Sequence, residues 1–561
     1  MIFYLALGVL FTIYAFDLLL LVVVAAIARS AEVAALLKKR SRERSSKKDQ
    51  KKKEAAAKAA AEAGAASPAS GAAKAAVAAP PAGGVAGGRY ASGGGEVEDS
   101  SPSGSSGYTS STAEEDSSGE EDLPRAEIIT TAPAGSTAIA LPDDPWGGAK
   151  APKVLIQLPM YNEEAHAAAI IDACCRINYP RDRLLIQVLD DSTKEAVRQK
   201  VDAAAAACIE QGHPVQVMRR DNRSGFKAGA MVEGLNRVEG LGYEYCAIFD
   251  ADFDPPVDFL EETIPTMHRD KTLAYVQTRW AFSNGNESFL TWAQKINLSF
   301  HFDVEQRARS YLGWFFNFNG TAGVWRIQSI HDAGGWQSDT VVEDMDLSLR
   351  CYLKGWNALY LPHVDNPNEL PCTLSSYKTQ QFRWLSGPMQ ILIKSFSNIW
   401  HAKDISLFRR LNAFWFFMRY ILFAAITIGV LAVPPVALWV ETWSWDWPQI
   451  YFIVSINFAL AVYLYVTPFS IAYLFFSVAI GYFKLWAMTS GLLGLEKSKT
   501  WKTGGSLLTR IHKPYALEAV LALYYAGMAA AAGIYASWIM LGYCALMFLV
   551  FLAISFGDAY M

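Results

Sequence analysis

The sequence predicts an α/β domain, built on a parallel sheet, that is joined to apolar helices long enough to cross a membrane. Three apolar runs, at 154–158, 184–189 and 245–249, end in polar or acidic residues and are separated by helical stretches. This alternation is typical of a parallel sheet with crossover helices. At 561 residues, 52% of them hydrophobic, the chain is long enough for one large domain and several membrane spans.

An apolar segment opens the chain. Residues 1–28 contain a single charged side chain, that of Asp17. About 20 apolar residues suffice to cross a hydrocarbon core, so this segment predicts a membrane helix. Many Lys and Arg residues follow between 29 and 58, and basic flanks stay in the cytosol. The folded domain that follows is therefore predicted to be cytosolic, with the N-terminus on the opposite side of the membrane.

The next segment, 29–150, predicts a disordered linker. It is basic at first, then rich in Ala, Gly, Ser and Pro, and then acidic and rich in serine. Such a composition buries too little apolar surface to offset the entropy lost on folding.

Charge and cysteine content exclude several classes of protein. The formal net charge of −4 averages over opposed basic and acidic segments, so it indicates no partner, and no nucleic acid is predicted to bind. The seven cysteines form no CxxC pair and show no zinc-binding spacing. The sequence therefore predicts neither a disulfide framework nor structural zinc.

Acidic residues follow two of the predicted strands. Asp190 and Asp191 come at the end of the second apolar run, and Asp250 and Asp252 come directly after the third. Ligands of open α/β sheets bind beyond the carboxyl ends of the strands. Alternation along an extended segment puts Asp250 and Asp252 on one face, where both carboxylates can hold Mg²⁺ or Mn²⁺ together with substrate phosphates. Asp190 and Asp191 can accept hydrogen bonds from a nucleobase or ribose, and helix capping or a solvated acidic turn is the alternative for these clusters.

A third acidic pair, Glu343 and Asp344, lies at the start of a helix predicted to run to about Lys354, before Gly355. One carboxylate there can act as general base toward an attacking sugar hydroxyl. Acidic residues also favour helix N-termini for electrostatic reasons alone, which leaves ordinary capping as the alternative.

Cationic and aromatic side chains complete the predicted site. Lys227 lies in a Gly-containing loop, DNRSGFKAG, that enters a helix and is suited to a diphosphate. Gln380, Arg383 and Trp384 lie together in the sequence QQFRW. Arg383 can bind phosphate oxygens and Trp384 offers a flat apolar face to a sugar ring, whereas an Arg/Trp anchor at the membrane interface is the alternative.

Five motifs follow one another in the chain: IQLPMYNE (156–163), QVLDDS (187–192), FDADF (249–253), FNGTAGVWR (318–326) and VEDMD (342–346). In this order they resemble the motifs of processive family 2 glycosyltransferases of the cellulose synthase superfamily, in particular the plant and algal cellulose synthase-like A and C group. The resemblance implies a Rossmann-like GT-A fold for a catalytic domain over 151–400. It also implies inverting transfer from a nucleotide sugar to the 4-hydroxyl of a growing β-1,4-glycan.

The resemblance further implies roles for individual residues. Asp344 would be the catalytic base, beside Glu343, and Asp250 and Asp252 would ligate Mg²⁺ or Mn²⁺. The donor would be bound by Asp190, Asp191, Lys227, Asp250, Asp252, Gln380 and Arg383. The acceptor would be bound by Asn319, Gly320, Thr321 and Trp384.

Residues 401–561 are predicted to hold interfacial helices, four membrane spans and a gating loop. The spans are predicted at 414–440, 451–473, 515–535 and 538–554. The apolar segment 475–495 is interpreted as an interfacial helix, because a crossing there would put the lysine-containing loop 496–513 in the lumen. Within that loop Trp501, Lys502 and Thr503 are similar to a shortened form of the segment that closes over the donor in relatives.

Two donors are compatible with the resemblance. Residues 159–161 and 221–223 resemble the A branch, which makes mannan or glucomannan from GDP-mannose. Residues 297–302 and 386–390 resemble the C branch, which makes the glucan backbone of xyloglucan from UDP-glucose. We favour GDP-mannose and a multi-pass protein of the Golgi membrane, with the oligomeric state left open. A catalytically silent membrane scaffold and a non-processive transferase to a lipid carrier are the alternatives of other classes.

Overall fold

The structure is a computed structural model that describes residues 2–65, 150–439, 446–466, 471–495, 516–535 and 537–556. Among these residues, 2–40 and those from 150 onward belong to one compact unit, and 41–65 belong to a second. The predicted gating residues Trp501, Lys502 and Thr503 lie outside the described residues.

Seven strands form a single sheet in the order β3-β2-β1-β4-β6-β5-β7. The strands are β1 (Lys153–Met160), β2 (Leu184–Asp190), β3 (Val215–Met218), β4 (Tyr243–Ile248), β5 (Leu273–Phe282), β6 (Gly323–Arg326) and β7 (Asn357–Asn368). The three apolar runs identified in the sequence are β1, β2 and β4, so the predicted α/β fold class is confirmed.

Fifteen α-helices lie within the described residues. They are α1 (Ile2–Ala65), α2 (Ala167–Cys175), α3 (Glu195–Glu210), α4 (Phe226–Asn236), α5 (Phe259–Arg269), α6 (Phe289–Phe300), α7 (Arg307–Tyr311), α8 (Ile327–Asp332), α9 (Glu343–Leu353), α10 (Leu374–His401), α11 (Leu407–Trp439), α12 (Trp447–Val466), α13 (Ile471–Leu493), α14 (Ala516–Ile534) and α15 (Trp538–Ser555). A 3₁₀ turn covers Arg181–Arg183 and a π-helical segment covers His301–Gln306.

The sheet is mixed rather than wholly parallel as predicted. β1 to β4 pair in parallel, but β6 runs antiparallel to both β4 and β5. The four residues of β6 are all buried, with Trp325 fully enclosed. A buried four-residue strand carries no alternating pattern, which is why the sequence did not reveal it.

Helix α1 extends far beyond the predicted span of 1–28. It continues to Ala65, so the first part of the segment predicted as a disordered linker is helical. Residues 9–63 contain no Gly or Pro and are rich in Ala, Lys and Glu, which have high helix propensity. The rest of the predicted linker, 66–149, lies outside the described residues.

Within the described part of the chain, five helical segments are long and apolar enough to cross a membrane. They are Ile2–Ala34, Leu407–Leu438, Phe476–Leu493, Ala516–Ile534 and Trp538–Ser555. The number equals the five spans predicted, but the members differ. Phe476–Leu493, which the sequence assigned to the interface, meets the length and composition of a span, whereas Trp447–Tyr463 is shorter. Which helices cross the membrane stays a prediction.

Candidate active site

The carboxyl edge of the sheet gathers most of the predicted site residues. β1, β2 and β4 run parallel, so Asp191 and Asp250, which follow β2 and β4, reach the same edge. β6 runs antiparallel to β4 with Gly323 opposite Ile248, so the loop that precedes β6 also reaches this edge. The topology therefore brings together segments that are far apart in the sequence.

Lys227, at the start of α4, lies among the carboxylates of the site. Its ammonium nitrogen is 2.5 Å from Oδ1 of Asp250 and donates a hydrogen bond of 2.9 Å to the carbonyl oxygen of Gly320. Burial opposes the charge, but the carboxylates of Asp250, Glu343 and Asp344 raise the pKa of Lys227. Lys227 is therefore a permanent cation at the point where β4, α9 and the loop before β6 meet.

Asp250 and Asp252 form a carboxylate pair after β4. Burial, together with the neighbouring charge of Asp250, raises the pKa of Asp252 to about 7. Bringing a divalent cation to such a pair relieves the repulsion, and carboxylate oxygens are ligands that Mg²⁺ and Mn²⁺ prefer. The two side chains therefore fit the predicted metal site.

Protein ligands for a metal ion are few at this site. Among the residues that the structure describes, no group of three or more His, Cys, Asp and Glu side chains is placed to hold a metal ion. A cation held by Asp250 and Asp252 would therefore take its other ligands from substrate phosphates and water, which is how Mg²⁺ is commonly bound in nucleotide enzymes.

Asp344 lies in the first turn of α9 and approaches the same loop. A Cβ atom added to Gly320 would be 3.1 Å from Oδ2 of Asp344 and 3.8 Å from Nζ of Lys227. Burial and the charge of Glu343 raise the pKa of Asp344 to about 7, although Lys227 and Arg383 oppose the shift. A carboxyl group with this pKa is matched to proton transfer near neutral pH.

Gly320 is required by both backbone conformation and space, so Gly320→Ala is expected to impair catalysis. Its φ of 83° lies in the left-handed region, where a Cβ costs about 1–2 kcal/mol. The added methyl group would also push the Asp344 carboxyl group by a few tenths of an ångström. Because misplacing a catalytic group by about 1 Å can reduce the rate by about 100-fold, we expect this smaller shift to reduce turnover by about tenfold or less. Turnover and thermal unfolding of the purified variant measure the two effects separately.

Gly335→Ala is the matched control for this prediction. Gly335 has a similar φ of 74°, but a Cβ there would meet no atom of the described residues within 4 Å. Both variants should lose comparable stability, and only Gly320→Ala should lose turnover. Equal turnover in the two variants would show that the contact with Asp344 is unimportant.

Asp190, the last residue of β2, and Asp191, which follows it, are paired with arginines that follow β3. The side chain of Asp190 is 0% exposed and accepts hydrogen bonds of 2.8 Å from Nε of Arg219 and 3.0 Å from the backbone N–H of Ser192. Asp191 forms a bidentate pair with Arg220, at 3.0 and 2.5 Å. The carboxylate of Asp190 therefore stabilises the turn and has no exposed atom that could contact the nucleotide sugar. Asp191 could make its predicted contact with the nucleotide only while it is also paired with Arg220.

A stacked pair lies beside these arginines. The guanidinium carbon of Arg223 is 3.3 Å from the centroid of the Tyr161 ring, and its Nε is 3.8 Å from Oδ2 of Asp191. Cation–π contacts of this kind hold a guanidinium over an aromatic face. The pair connects the IQLPMYNE motif to the loop that carries Lys227.

Two predicted ligand-binding side chains carry polar atoms that lack a hydrogen-bond partner among the described residues. These atoms are Nδ2 of Asn319 and Oε1 of Gln380, and both are shielded from solvent. Unpaired buried polar atoms are costly and rare, so each is a position where a ligand group would supply the missing bond. Thr321 differs, because it is 1% exposed and its Oγ1 accepts a hydrogen bond of 2.8 Å from the backbone N–H of Asp250. Thr321 supports Asp250 and offers little surface to an acceptor.

Helix α10 brings QQFRW to the site by packing against the start of α9. A Cβ atom added to Gly387 would lie 2.3 Å from Cγ2 of Val342, the residue before Glu343. Only glycine permits so close an approach. The positive charge of Arg383 correspondingly acts on Asp344, whose pKa it lowers.

Trp384 is part of an aromatic group that reaches the metal-binding segment. Its ring centroid is 6.2 Å from that of Trp280, which in turn lies 5.4 Å from the ring of Phe253, next to Asp252. Trp280 is buried, whereas Trp384 is only partly buried. The exposed part of Trp384 is therefore available to a sugar ring near the predicted metal site.

Several residues of the site were not identified from the sequence. Arg219 and Arg220 engage both aspartates after β2, and the charge of Glu163 contributes to the raised pKa of Asp252. The two arginines could have been identified from the sequence, because they directly follow β3 and so lie at the same edge of the sheet as the acidic residues. Glu163 is the last residue of the IQLPMYNE motif. Its effect on the pKa of Asp252 is evident only from the structure.

Comparisons with known proteins assign the chain to a family. The model of Glycosyl transferase family 2 matches residues 156–327, and the model of Glycosyl transferase family group 2 matches residues 245–556. Glucomannan 4-beta-mannosyltransferase 7 of Arabidopsis thaliana is 37% identical over 66% of this chain and 69% of its own length. Glucomannan 4-beta-mannosyltransferase 1 of Cyamopsis tetragonoloba is 46% identical over 48% of this chain and 52% of its own length. The chain thus spans about half to two thirds of the length of these curated relatives.

A solved structure with a related shape is mannosyltransferase PcManGT from Pyrobaculum calidifontis in complex with GDP-Man and Mn²⁺. It is 19% identical, with a TM-score of 0.46 over 63% of this chain and 90% of that chain. A likeness of this size supports no inference about the ligands of the present chain.

Proposed function

The chain belongs to glycosyl transferase family group 2, whose model matches more than half of it, and from this membership we propose that it is an inverting β-1,4-mannosyltransferase that builds a mannan or glucomannan backbone from GDP-mannose. The observation that carries the proposal is the convergence of Lys227, Asp250 and Asp344 around the Gly320 loop. Several curated relatives are named glucomannan 4-beta-mannosyltransferases, which supports this choice of donor.

The geometry supports a single displacement at the donor sugar. The acceptor 4-hydroxyl attacks the anomeric carbon, the bond from that carbon to the diphosphate oxygen breaks, and GDP leaves. Asp344 takes the proton of the attacking hydroxyl. Lys227 and Arg383 contribute positive charge where the diphosphate leaves, as expected of electrostatic stabilisation in a partly buried site.

Asp250 and Asp252 would hold Mg²⁺ or Mn²⁺ in the enzyme. Such a cation offsets negative charge on the departing diphosphate. The acceptor would be bound by the free amide nitrogen of Asn319 and by the exposed face of Trp384.

We further propose that synthesis is processive and coupled to passage of the glycan across the membrane. The catalytic domain would cover 151–400 and face the cytosol, and 401–561 would supply the remaining membrane helices and the gating loop. The five long apolar helical segments support a membrane location, and the likeness to the A and C group favours the Golgi.

The pH dependence of kcat/KM follows from Asp344. Because the base must be deprotonated and its pKa is raised to about 7, kcat/KM is expected to fall as pH decreases below about 7 and to level off above it. Asp252 also has a pKa raised to about 7, so the profile is measured with saturating Mg²⁺ or Mn²⁺, which keeps this carboxylate ionised. The ionisation of Asp344 then controls the rate, and the fall should approach tenfold per pH unit. A profile that stays flat down to pH 5 would exclude a base with this pKa.

The donor is tested by supplying purified full-length protein, with Mg²⁺ or Mn²⁺, with labelled GDP-mannose and labelled UDP-glucose side by side. The product is then digested with hydrolases specific for β-1,4-mannan or β-1,4-glucan. We expect polymer from GDP-mannose that β-1,4-mannanase degrades. Polymer from UDP-glucose alone would identify the xyloglucan-type alternative, and no polymer from either donor would favour the silent scaffold.

A further inference from the structure

Asp17, the one charged residue of 1–28, has a partner on another helix. Oδ2 of Asp17 in α1 is 2.7 Å from Nε of Arg419 in α11, and both side chains are largely buried. Nε1 of Trp415 donates a hydrogen bond of 2.8 Å to Oδ1 of Asp17. Ionisable residues inside apolar helices are costly, so they persist where they are paired and serve a function.

Arg419 continues this chain of contacts into the catalytic domain. Its guanidinium group also pairs with Glu305 of the π-helical segment, and Oε2 of Glu305 lies 3.1 Å from Nδ1 of His301. Burial opposes ionisation of Glu305, but Arg419 and His301 hold its pKa well below the ordinary value. Glu305 is therefore a fixed anion between Arg419 of α11 and His301.

His301 reaches the loop that lies beside Asp344. Its Nε2 is 3.4 Å from Oδ1 of Asn319, and Nε2 of Gln306 donates a hydrogen bond of 2.9 Å to the same oxygen. A third contact, from Nδ2 of Asn317, is 3.2 Å long. These three contacts to Oδ1 fix the orientation of the Asn319 amide, so that Nδ2 points away from them. Nδ2 has no hydrogen-bond partner in the described part of the chain.

The local backbone explains why these side chains act together. His301, Glu305 and Gln306 belong to one π-helical segment, His301–Gln306, placed between α6 and α7. A π-helical turn is rare, and such turns occur often at functional sites. Here one short segment presents Glu305 to the membrane helix and His301 and Gln306 to Asn319.

We propose that His301 is a positioning residue for the glycan acceptor, which orients the Asn319 amide so that its nitrogen donates to an acceptor hydroxyl beside Asp344. The ion pairs from Asp17 through Arg419 to Glu305 fix His301, so the acceptor site is built jointly by the catalytic domain and helices α1 and α11. This inference rests on the proposed transferase activity and assigns a role to residues outside the motifs that predicted the site.

The test compares transfer to a soluble β-1,4-linked manno-oligosaccharide with hydrolysis of GDP-mannose in the absence of acceptor. His301→Ala is expected to raise the acceptor KM by about tenfold, the effect of losing one to two hydrogen bonds. The donor KM and the rate of donor hydrolysis should change by less than about twofold, since the donor contacts are untouched. Asn319→Asp, which replaces the free nitrogen with oxygen, should raise the acceptor KM at least as much.

Further variants separate positioning from general damage to the structure. His301→Gln keeps a side-chain N–H and should recover part of the acceptor affinity, and Glu305→Gln should raise the acceptor KM less than His301→Ala. His331→Ala, at an exposed histidine of α8, is the matched control and should leave all constants unchanged.

The possible failures are distinct. An unaltered acceptor KM in both His301→Ala and Asn319→Asp would overturn the inference, and so would a parallel loss of donor hydrolysis and transfer in His301→Ala, because that pattern marks structural damage. Inactivity of the unmodified protein toward GDP-mannose would instead reject the proposed function.

Discussion

Asp344→Asn is expected to lower kcat by about 100- to 10,000-fold, the range over which general bases contribute to catalysis. Asn has nearly the same shape but cannot accept the proton of the attacking hydroxyl. Donor affinity should change little, because Lys227, Arg383 and the Asp250–Asp252 pair remain in place. Binding of GDP to the purified variant, measured by calorimetry, separates this loss of chemistry from a loss of binding.

The matched control for this variant is Asp332→Asn, at an exposed carboxylate that ends α8. It makes the same chemical change outside the cluster and should retain full turnover. If Asp344→Asn keeps more than about a tenth of the turnover of the unmodified protein, another group is the base. Glu343, the neighbouring carboxylate, would then be the first to replace.

Breaking the buried ion pair between Lys378 and Glu518 is expected to cost about 3–5 kcal/mol of stability. Nζ of Lys378 in α10 is 2.5 Å from Oε1 of Glu518 in α14, and the two side chains are 10% and 2% exposed. Removing one residue takes this ion pair away from a charge that stays buried in an apolar setting, which is the most costly way to disrupt such a pair. Because α10 also carries Arg383 and Trp384, we expect these variants to lose turnover as well as stability.

Denaturant titration of the detergent-purified variants Lys378→Met, Glu518→Gln and the double variant measures this effect. The double variant should be more stable than the less stable of the two single variants, because neither of the two buried charges remains. Glu233→Gln is the control, since the exposed pair of Glu233 with Arg237 should contribute less than about 1 kcal/mol. A single variant as stable as the unmodified protein would show that the pair does not join α10 to α14.

The parts of the fold and site that follow local rules were predictable from the sequence. Strands β1, β2 and β4 are continuous apolar runs, and acidic residues directly after a strand must lie at its carboxyl edge. The position of Asp250 and Asp252 at that edge therefore follows from the residue pattern alone. The helix of Asp344 was equally clear, because it begins with acidic residues and ends before a glycine.

Long-range contacts were not predictable in this way. Nothing local indicates that Lys227 pairs with Asp250, that β6 inserts antiparallel beside β4, or that Arg219 buries Asp190. Asp17 illustrates the limit best, since the sequence marks it only as an exception in an apolar segment. Its partner, Arg419, is about 400 residues away in the chain, and only the packing of α1 against α11 identifies it.

Helix α1 is also longer than predicted. Its second half has a composition that was interpreted as disordered, but the same composition favours a helix when Gly and Pro are absent.

The most direct test of the active site proposed for this chain is an experimental structure of the full-length protein with GDP and Mn²⁺. We expect Mn²⁺ between the carboxylates of Asp250 and Asp252, the diphosphate next to Lys227 and Arg383, and Asp344 facing the position of the transferred sugar. A nucleotide bound away from the carboxyl edge of the sheet, or Mn²⁺ bound without either of these aspartates, would contradict the proposed site.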